Sequence, residues 1–155
     1  MISLHPKSTA AIGGHPIHPM LVNFPITFFT AALATDIAYW RTSSTMWAVA
    51  STWLLGAGLV MAALAAIAGL TDFLGSRQIR ALKAAWHHMI GNVSAVVLSL
   101  VNFLLHLRGG DAAVLPTGLA LSAIVVAILL FTGWLGGEMV FRHGVAVADD
   151  ADGPQ

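Results

Sequence analysis

The sequence predicts an all-α integral membrane protein, an antiparallel four-transmembrane-helix bundle of up-down-up-down topology. Of its 155 residues, 57% are hydrophobic and only 9% are charged. A soluble domain carries about a quarter charged residues, so this composition favours a surface that faces lipid. Four apolar stretches are each long enough to cross a hydrocarbon core of about 30 Å, which requires roughly 20 helical residues. Short connections between these stretches predict antiparallel neighbours.

The predicted organisation has three parts. Residues 1–18 form an N-terminal segment with a His-Pro motif, residues 19–145 form the transmembrane domain, and residues 146–155 form a polar C-terminal tail. Lipid offers the backbone no hydrogen-bond partners, so helical spans are expected. A cleaved signal peptide is the rival interpretation of the first span, because Lys7 precedes its apolar run. The four predicted spans are 19–40, 46–74, 84–107 and 114–141.

Basic residues on the connections predict the orientation. In the expected topology, five lie on the side that holds both termini: Lys7, Arg77, Arg80, Lys83 and Arg142. The opposite side has only Arg41 and Arg108, so the asymmetry favours cytoplasmic termini. Tryptophans are expected in interfacial belts, except Trp134, which is expected to pack inside the bundle.

Charge and cysteine content restrict the chemistry. The formal net charge is zero and there is no basic patch, so nucleic acid is not an expected partner. Cysteine is absent, which removes disulfides, iron–sulfur clusters and thiolate zinc sites. No Gly-x-Ser-x-Gly elbow, Walker loop or nucleophile–base set is legible, so the protein is not expected to be an enzyme on its own.

Polar residues converge at one end of the predicted bundle. The start of helix one, the end of helix two, the start of helix three and the end of helix four share that side. Together they carry His15, His18, Asp72, His87, His88, Glu138, Arg142 and His143. Ionisable residues in spans are costly and mark function by default. Helix capping and anchoring by the His-Pro repeat is the alternative to ligation of a metal or haem.

A second polar pattern follows one face of the predicted third helix, at steps of three and four residues. Its members are His88, Asn92, Ala95, Ser99, Asn102 and His106. Interhelical hydrogen bonds explain such a seam, and a cofactor slot or proton path is the alternative. At the far end, His106 is the only histidine beside Asp36, Arg41 and Arg108, so a second bis-histidine site is not expected there.

Glycines recur near the carboxylates. Gly69 precedes Asp72, and Gly133, Gly136 and Gly137 precede Glu138. Small residues at this spacing usually mean close helix packing, and room for a flat ring between helices is the alternative. The two carboxylates are expected either to orient imidazoles or to pair with arginine.

Several segments resemble one bacterial membrane family. Residues 14–26, GHPIHPMLVNFPI, are similar to the opening of the family catalogued as domain of unknown function 2231. Four further features of the sequence are similar to the family's other hallmarks. They are the segments GLTD (69–72), GWLGGE (133–138) and RHGV (142–145), and His88 with Asn92. The resemblance covers about residues 13–147 and implies four membrane helices in a bacterial cell (inner) membrane. It also implies a redox setting, since related modules occur beside Rieske or cytochrome domains, but no known activity.

These observations favour a membrane-embedded b-type haem protein that transfers electrons. Haem iron needs one or two axial ligands, and His18 and His88 are the expected pair. His15 and His143 are substitutes. The rest of the expected cofactor-binding set is Asn92, Asp72, Glu138 and Arg142. Cations for the haem propionates are expected from Arg77, Arg80, Lys83 and Arg142.

Two other functions stay open. One is a non-haem divalent-metal site with His18 and His88 as ligands, or a proton-handling site, in a protein that could serve transport. The other is a structural membrane subunit without a cofactor. Expected partners are the lipid bilayer and, for electron transfer, redox proteins or quinone. Homo-oligomerisation is compatible with each function.

Overall fold

The computed structural model describes residues 6–147, and most of this range is helical. It begins with a small hairpin in which β1 (Ala11–Ile12) pairs antiparallel with β2 (His15–Pro16). Gly13 and Gly14 form the turn, both at positive φ, where a residue with a Cβ would be strained. Of the predicted polar tail, residues 148–155 lie outside the described range.

Six α-helices follow within the described range. Two are single turns of five residues, α1 (Ile17–Leu21) and α4 (Arg77–Ala81). The other four have between 20 and 31 residues. They are α2 (Asn23–Thr42), α3 (Thr45–Gly75), α5 (Lys83–Gly109) and α6 (Leu119–His143). At 1.5 Å per residue, even α2 is about 30 Å long.

The chain between α5 and α6 is not a continuous helix. A 3₁₀ turn, Gly110–Ala113, leads into Val114–Gly118, where Leu115 has extended backbone angles (φ −121°, ψ 135°). Leu115 precedes Pro116, and the proline ring disfavours helical angles in the residue before it. Regular helix therefore resumes only at Leu119, five residues after the start predicted at 114.

The molecule is a membrane protein with several apolar helices. Three helical stretches are long and apolar enough to cross a membrane: Ile17–Thr42, Thr45–Gly75 and Lys83–His143, the last containing both α5 and α6. Large apolar side chains cover the outside, as Leu130 (74% exposed) and Phe141 (89%) illustrate. Trp134 is 73% exposed, so its expected place inside the bundle is wrong.

Small residues let the long helices approach closely. On α2 and α3, Phe29 lies against Gly58, whereas His18, just before α2, lies against Gly69. The earlier residue of the first helix contacts the later residue of α3, so α2 and α3 are antiparallel. Contacts between α5 and α6 show the same relation. One buried apolar cluster consists of Phe29, Ala32, Leu55, Ala62, Ala95 and Val125. A second, at the end of α3, consists of Phe73, Ile79 and Ala85.

Replacing Gly58 with alanine is expected to lower the free energy of unfolding by about 1–3 kcal/mol, the usual cost of overpacking a filled core. The new methyl group would lie 2.5 Å from Cε1 of Phe29. Gly133→Ala is the matched control, because no atom lies within 4 Å of its Cβ position. Unfolding of both variants in one detergent measures the difference. Equal stabilities would contradict the close packing of α3 on α2.

Candidate functional site

Two histidines from different helices meet at one end of the molecule. His18 lies on α1 and His88 on α5, and their ring centroids are 6.3 Å apart. The ring planes are nearly perpendicular, at 83°, and both side chains are half-buried. The structure therefore brings together the two residues that the sequence singled out as a ligand pair.

Each imidazole is held through its Nδ1 atom by a neighbouring helix. His18 Nδ1 lies 2.8 Å from the Ala65 carbonyl oxygen on α3, and His88 Nδ1 lies 2.8 Å from the Thr132 carbonyl oxygen on α6. A carbonyl oxygen only accepts, so each Nδ1 carries the proton and donates it. In the neutral ring the lone pair then lies on Nε2. A histidine whose other nitrogen donates to a carbonyl is oriented to bind a metal.

Glycines provide the space that the two imidazoles occupy. A Cβ on Gly69 would lie 2.8 Å from Nδ1 and Cε1 of His18, and one on Gly136 would lie 3.4 Å from Cε1 of His88. These small residues of α3 and α6 therefore accommodate the imidazoles themselves. Gly133, in contrast, has no atom within 4 Å of its Cβ position.

Asn92 supports His88 indirectly. Its Nδ2 donates to the His88 carbonyl oxygen one turn earlier, at 2.7 Å, and its Oδ1 accepts from Thr132 Oγ1 at 3.4 Å. Thr132 also supplies the carbonyl that fixes the His88 ring. Asn92 is thus a positioning residue, which holds α6 at the height where Thr132 meets the imidazole.

Asp72 binds the N-terminal segment. Its Oδ1 accepts from the backbone N–H groups of Thr9 and Ala10, both at 2.7 Å, and from Ser8 Oγ at 2.8 Å. These bonds hold the segment against the end of α3, directly before the hairpin that leads to His18. These hydrogen bonds form because the backbone N–H groups of residues 9 and 10 need acceptors. Asp72 therefore stabilises the approach to the site, and among residues 6–147 its side chain bonds neither an imidazole nor an arginine.

The other predicted site residues lie toward the surface. Arg142 pairs with Glu138 at 3.7 Å, one turn apart on α6. His15 in β2 and His143 at the end of α6 are exposed. In residues 6–147, no hydrogen bond or ion pair joins any of these four to the histidine pair. The same range contains no group of three or more His, Cys, Asp and Glu residues that could hold a metal ion.

A second polar cluster lies at the opposite end of the helices. Its members are at most 2% exposed: Asp36, Ser51, Ser99, Asn102, His106 and Ser122. Sequence reasoning found half of it as the seam on the third helix and named Asp36 separately. The sequence did not indicate that Ser51 and Ser122 belong to this cluster, because isolated serines in apolar spans usually bond their own helix.

The chain is similar to one family of known proteins. A family model described as predicted membrane protein (DUF2231) matches residues 14–149. The matched range includes His18, His88 and all four long helices, and the resemblance drawn from the sequence is confirmed. No curated protein and no solved structure matches the chain.

Replacing Asp72 with alanine is expected to release the N-terminal segment, because the amides of Thr9 and Ala10 lose their acceptor. Hydrogen–deuterium exchange at these two amides should then be faster by about tenfold or more. Asp111→Ala is the matched control, since within the described residues this carboxylate accepts from Thr45 Oγ1 alone, at the other end of the helices. Unchanged exchange in the Asp72 variant would show that the segment is held by other contacts.

Proposed function

The chain belongs to the DUF2231 family of predicted membrane proteins, and we propose that it is a membrane-embedded b-type haem protein that transfers electrons, with His18 and His88 as axial ligands. The pairing of these two imidazoles is the observation that carries the proposal. Both rings are fixed through Nδ1, so both Nε2 atoms are left for a ligand.

The spacing of the rings supports a shared metal ion. Two imidazole nitrogens that bind one metal from opposite sides, at about 2 Å each, leave their ring centroids roughly 6.4 Å apart. The centroids of His18 and His88 are 6.3 Å apart. The distance between the rings is therefore compatible with a metal ion held between them.

The number of ligands favours haem over a metal ion bound by protein alone. Zinc and similar ions take three or four protein ligands, and residues 6–147 offer no group of three. Haem iron takes its four equatorial ligands from the porphyrin and needs only axial ones from the protein. A pair of histidines is therefore sufficient for haem and insufficient for the non-haem alternative.

The helix arrangement supports a place for the macrocycle. His18 is tied to α3 and His88 to α6. Helices α2 and α3 form one closely packed pair, and α5 and α6 form another. The two imidazoles are thus tied to different helix pairs, and the macrocycle would lie at the boundary between these pairs. When bound, haem would supply a one-electron redox centre.

Two of the four cationic side chains that the sequence predicted for the haem propionates have other partners. Arg80 Nη1 donates to the carbonyl oxygens of Phe73 (3.0 Å) and Leu74 at the end of α3, and Arg142 pairs with Glu138. Arg77 and Lys83 are exposed at the same end. We assign the propionate-binding role to these two residues.

The proposal includes the topology. Helices α5 and α6 have 27 and 25 residues, each enough for a separate crossing, and extended Leu115 interrupts the helix between them. Four crossings would give an up-down-up-down bundle with cytoplasmic termini in a bacterial inner membrane. The electron-transfer partners would be membrane redox proteins or quinone.

A structural subunit is the second candidate, and one observation favours it. The same two Nδ1 bonds join helices, His18 to α3 and His88 to α6. Interhelical hydrogen bonds of this kind contribute about 0.6 kcal/mol on average. A scaffold would use the histidines for these bonds alone and would leave both Nε2 atoms without a ligand.

Protein expressed with a supply of haem is expected to show a Soret band that shifts on reduction and a b-type α-band. Each of the substitutions His18→Ala and His88→Ala should abolish the spectrum of bis-histidine haem, because each deletes one of the two proposed ligands. His15→Ala and His143→Ala are the matched controls and should keep it, since both side chains are exposed. Absence of both bands when haem is supplied would contradict this proposal. Metal analysis of the same sample would then distinguish a metal site from a structural subunit.

Gly69→Ala is expected to reduce haem content by about tenfold or more, the usual effect of disturbing a residue that orients a ligand. The added methyl group would lie 2.8 Å from the His18 ring and would displace it from Ala65. Gly133→Ala, with open space around it, should retain full haem content. The pyridine haemochrome assay measures both variants. Equal haem content would mean that the position of His18 does not govern binding.

A further inference from the structure

All four long helices contribute to the buried polar cluster at the end remote from the histidine pair. Asp36 comes from α2, Ser51 from α3, Asn102 and His106 from α5, and Ser122 from α6. Each is at most 2% exposed. Burial of this many polar groups costs free energy unless they find partners, so the cluster needs an explanation beyond helix packing.

Part of the cluster forms a continuous hydrogen-bond chain. Asn102 Nδ2 donates to Ser122 Oγ at 2.9 Å, and Ser122 Oγ donates to Asp36 Oδ2 at 2.6 Å. Asn102 Nδ2 also reaches the Gly118 carbonyl oxygen at 3.2 Å. The amide and hydroxyl donors of these residues are thereby used within the chain.

The atoms left over are mainly acceptors. In the described part of the chain, five buried side-chain atoms have no hydrogen-bond partner: Asp36 Oδ1, Ser51 Oγ, Ser99 Oγ, Asn102 Oδ1 and His106 Nε2. Ser51 nevertheless lies beside the Asp36 carboxyl group. Carboxylate and amide oxygens only accept. The two serine oxygens accept as well as donate.

His106 belongs with the acceptors. Thr52 Oγ1 gives its proton to the Ala48 carbonyl oxygen at 3.0 Å, so its oxygen is free to accept from His106 Nδ1 at 3.4 Å. With the proton on Nδ1, the lone pair of the neutral ring lies on Nε2. A Cβ on Gly118 would lie 2.7 Å from that Nε2 and 3.3 Å from Asn102 Oδ1, so these two acceptors approach the same point.

Among residues 6–147, an ionised Asp36 would have no basic side chain to compensate its charge. Asp36 makes no ion pair with lysine or arginine in the described part of the chain. A buried carboxylate without a counter-charge is costly. A cation would supply the missing positive charge and would satisfy several acceptors at once. Water would supply donors but no charge.

We propose that this cluster binds one alkali cation of the size of sodium, with Asp36 as the charged ligand and oxygen atoms of Ser51 and Asn102 as further ligands. Carboxylate, amide and hydroxyl oxygens are the ligands that hard cations take. A single carboxylate matches a single positive charge. The cation joins side chains of α2, α3 and α5, so binding stabilises the packing of these helices. The site is remote from His18 and His88 and does not depend on haem.

Thermal unfolding of the purified full chain in detergent tests this inference. At about 0.15 M ionic strength, sodium chloride is expected to raise the midpoint by about 3 °C or more over choline chloride, because a ligand of the folded state stabilises it. Asp36→Asn should abolish the difference. Glu138→Gln, which removes a carboxylate on the surface of α6, should keep it.

Equilibrium dialysis with radioactive sodium provides a direct count. The unsubstituted protein should bind about one ion per chain, and Asp36→Asn should bind none. If Asp36→Asn does not fold, Ser51→Ala decides, because it removes one oxygen with little change in volume and should weaken binding about tenfold or more. Equal midpoints in the two salts with no bound sodium would overturn the inference and leave only buried water. Sodium binding that neither substitution changes would overturn it as well.

Discussion

The constraint on which the structure depends is that a bilayer interior offers no hydrogen-bond partners. Each polar side chain inside the helices must therefore bond its own helix, another helix or a ligand. His18 reaches Ala65, and His88 reaches Thr132. Such bonds determine which helices can be neighbours and at what height they meet. Apolar contacts alone would not determine this, since lipid tails are as apolar as leucine.

The same constraint explains why polar chemistry is concentrated at the two ends. The middle of the core consists of small and apolar residues such as Ala62 and Ala95, which bring the backbones close without polar groups to satisfy. Hydrogen-bonding side chains gather where helices begin or end. There the backbone itself offers carbonyl groups, as Gly118 does for Asn102.

The sequence predicted those features that depend on local pattern. Apolar runs of about 20 residues indicated the helices, and the steps from His88 to His106 indicated one face of α5. The partners of a side chain depend on tertiary contacts, so they were not predictable. Nothing local showed that Asp72 would bind the backbone of residues 9 and 10. The prediction for Trp134 was wrong for the same reason, because apolar character alone does not distinguish a lipid-facing residue from a buried one.

Atoms that packing leaves unsatisfied distinguish the two polar sites from ordinary interhelical bonds. A histidine that only joined helices would need its Nδ1 bond and nothing on Nε2. His18 and His88 both use Nδ1 in this way, and their ring centroids are 6.3 Å apart. Around Asp36, the Asn102 amide and the Ser122 hydroxyl donate within the chain of bonds, while acceptor atoms of Asp36 and Asn102 remain without partners. One site thus has two nitrogen lone pairs suited to a transition metal, and the other has oxygen atoms suited to a hard cation. The ligand chemistry of each site follows from what packing does not use.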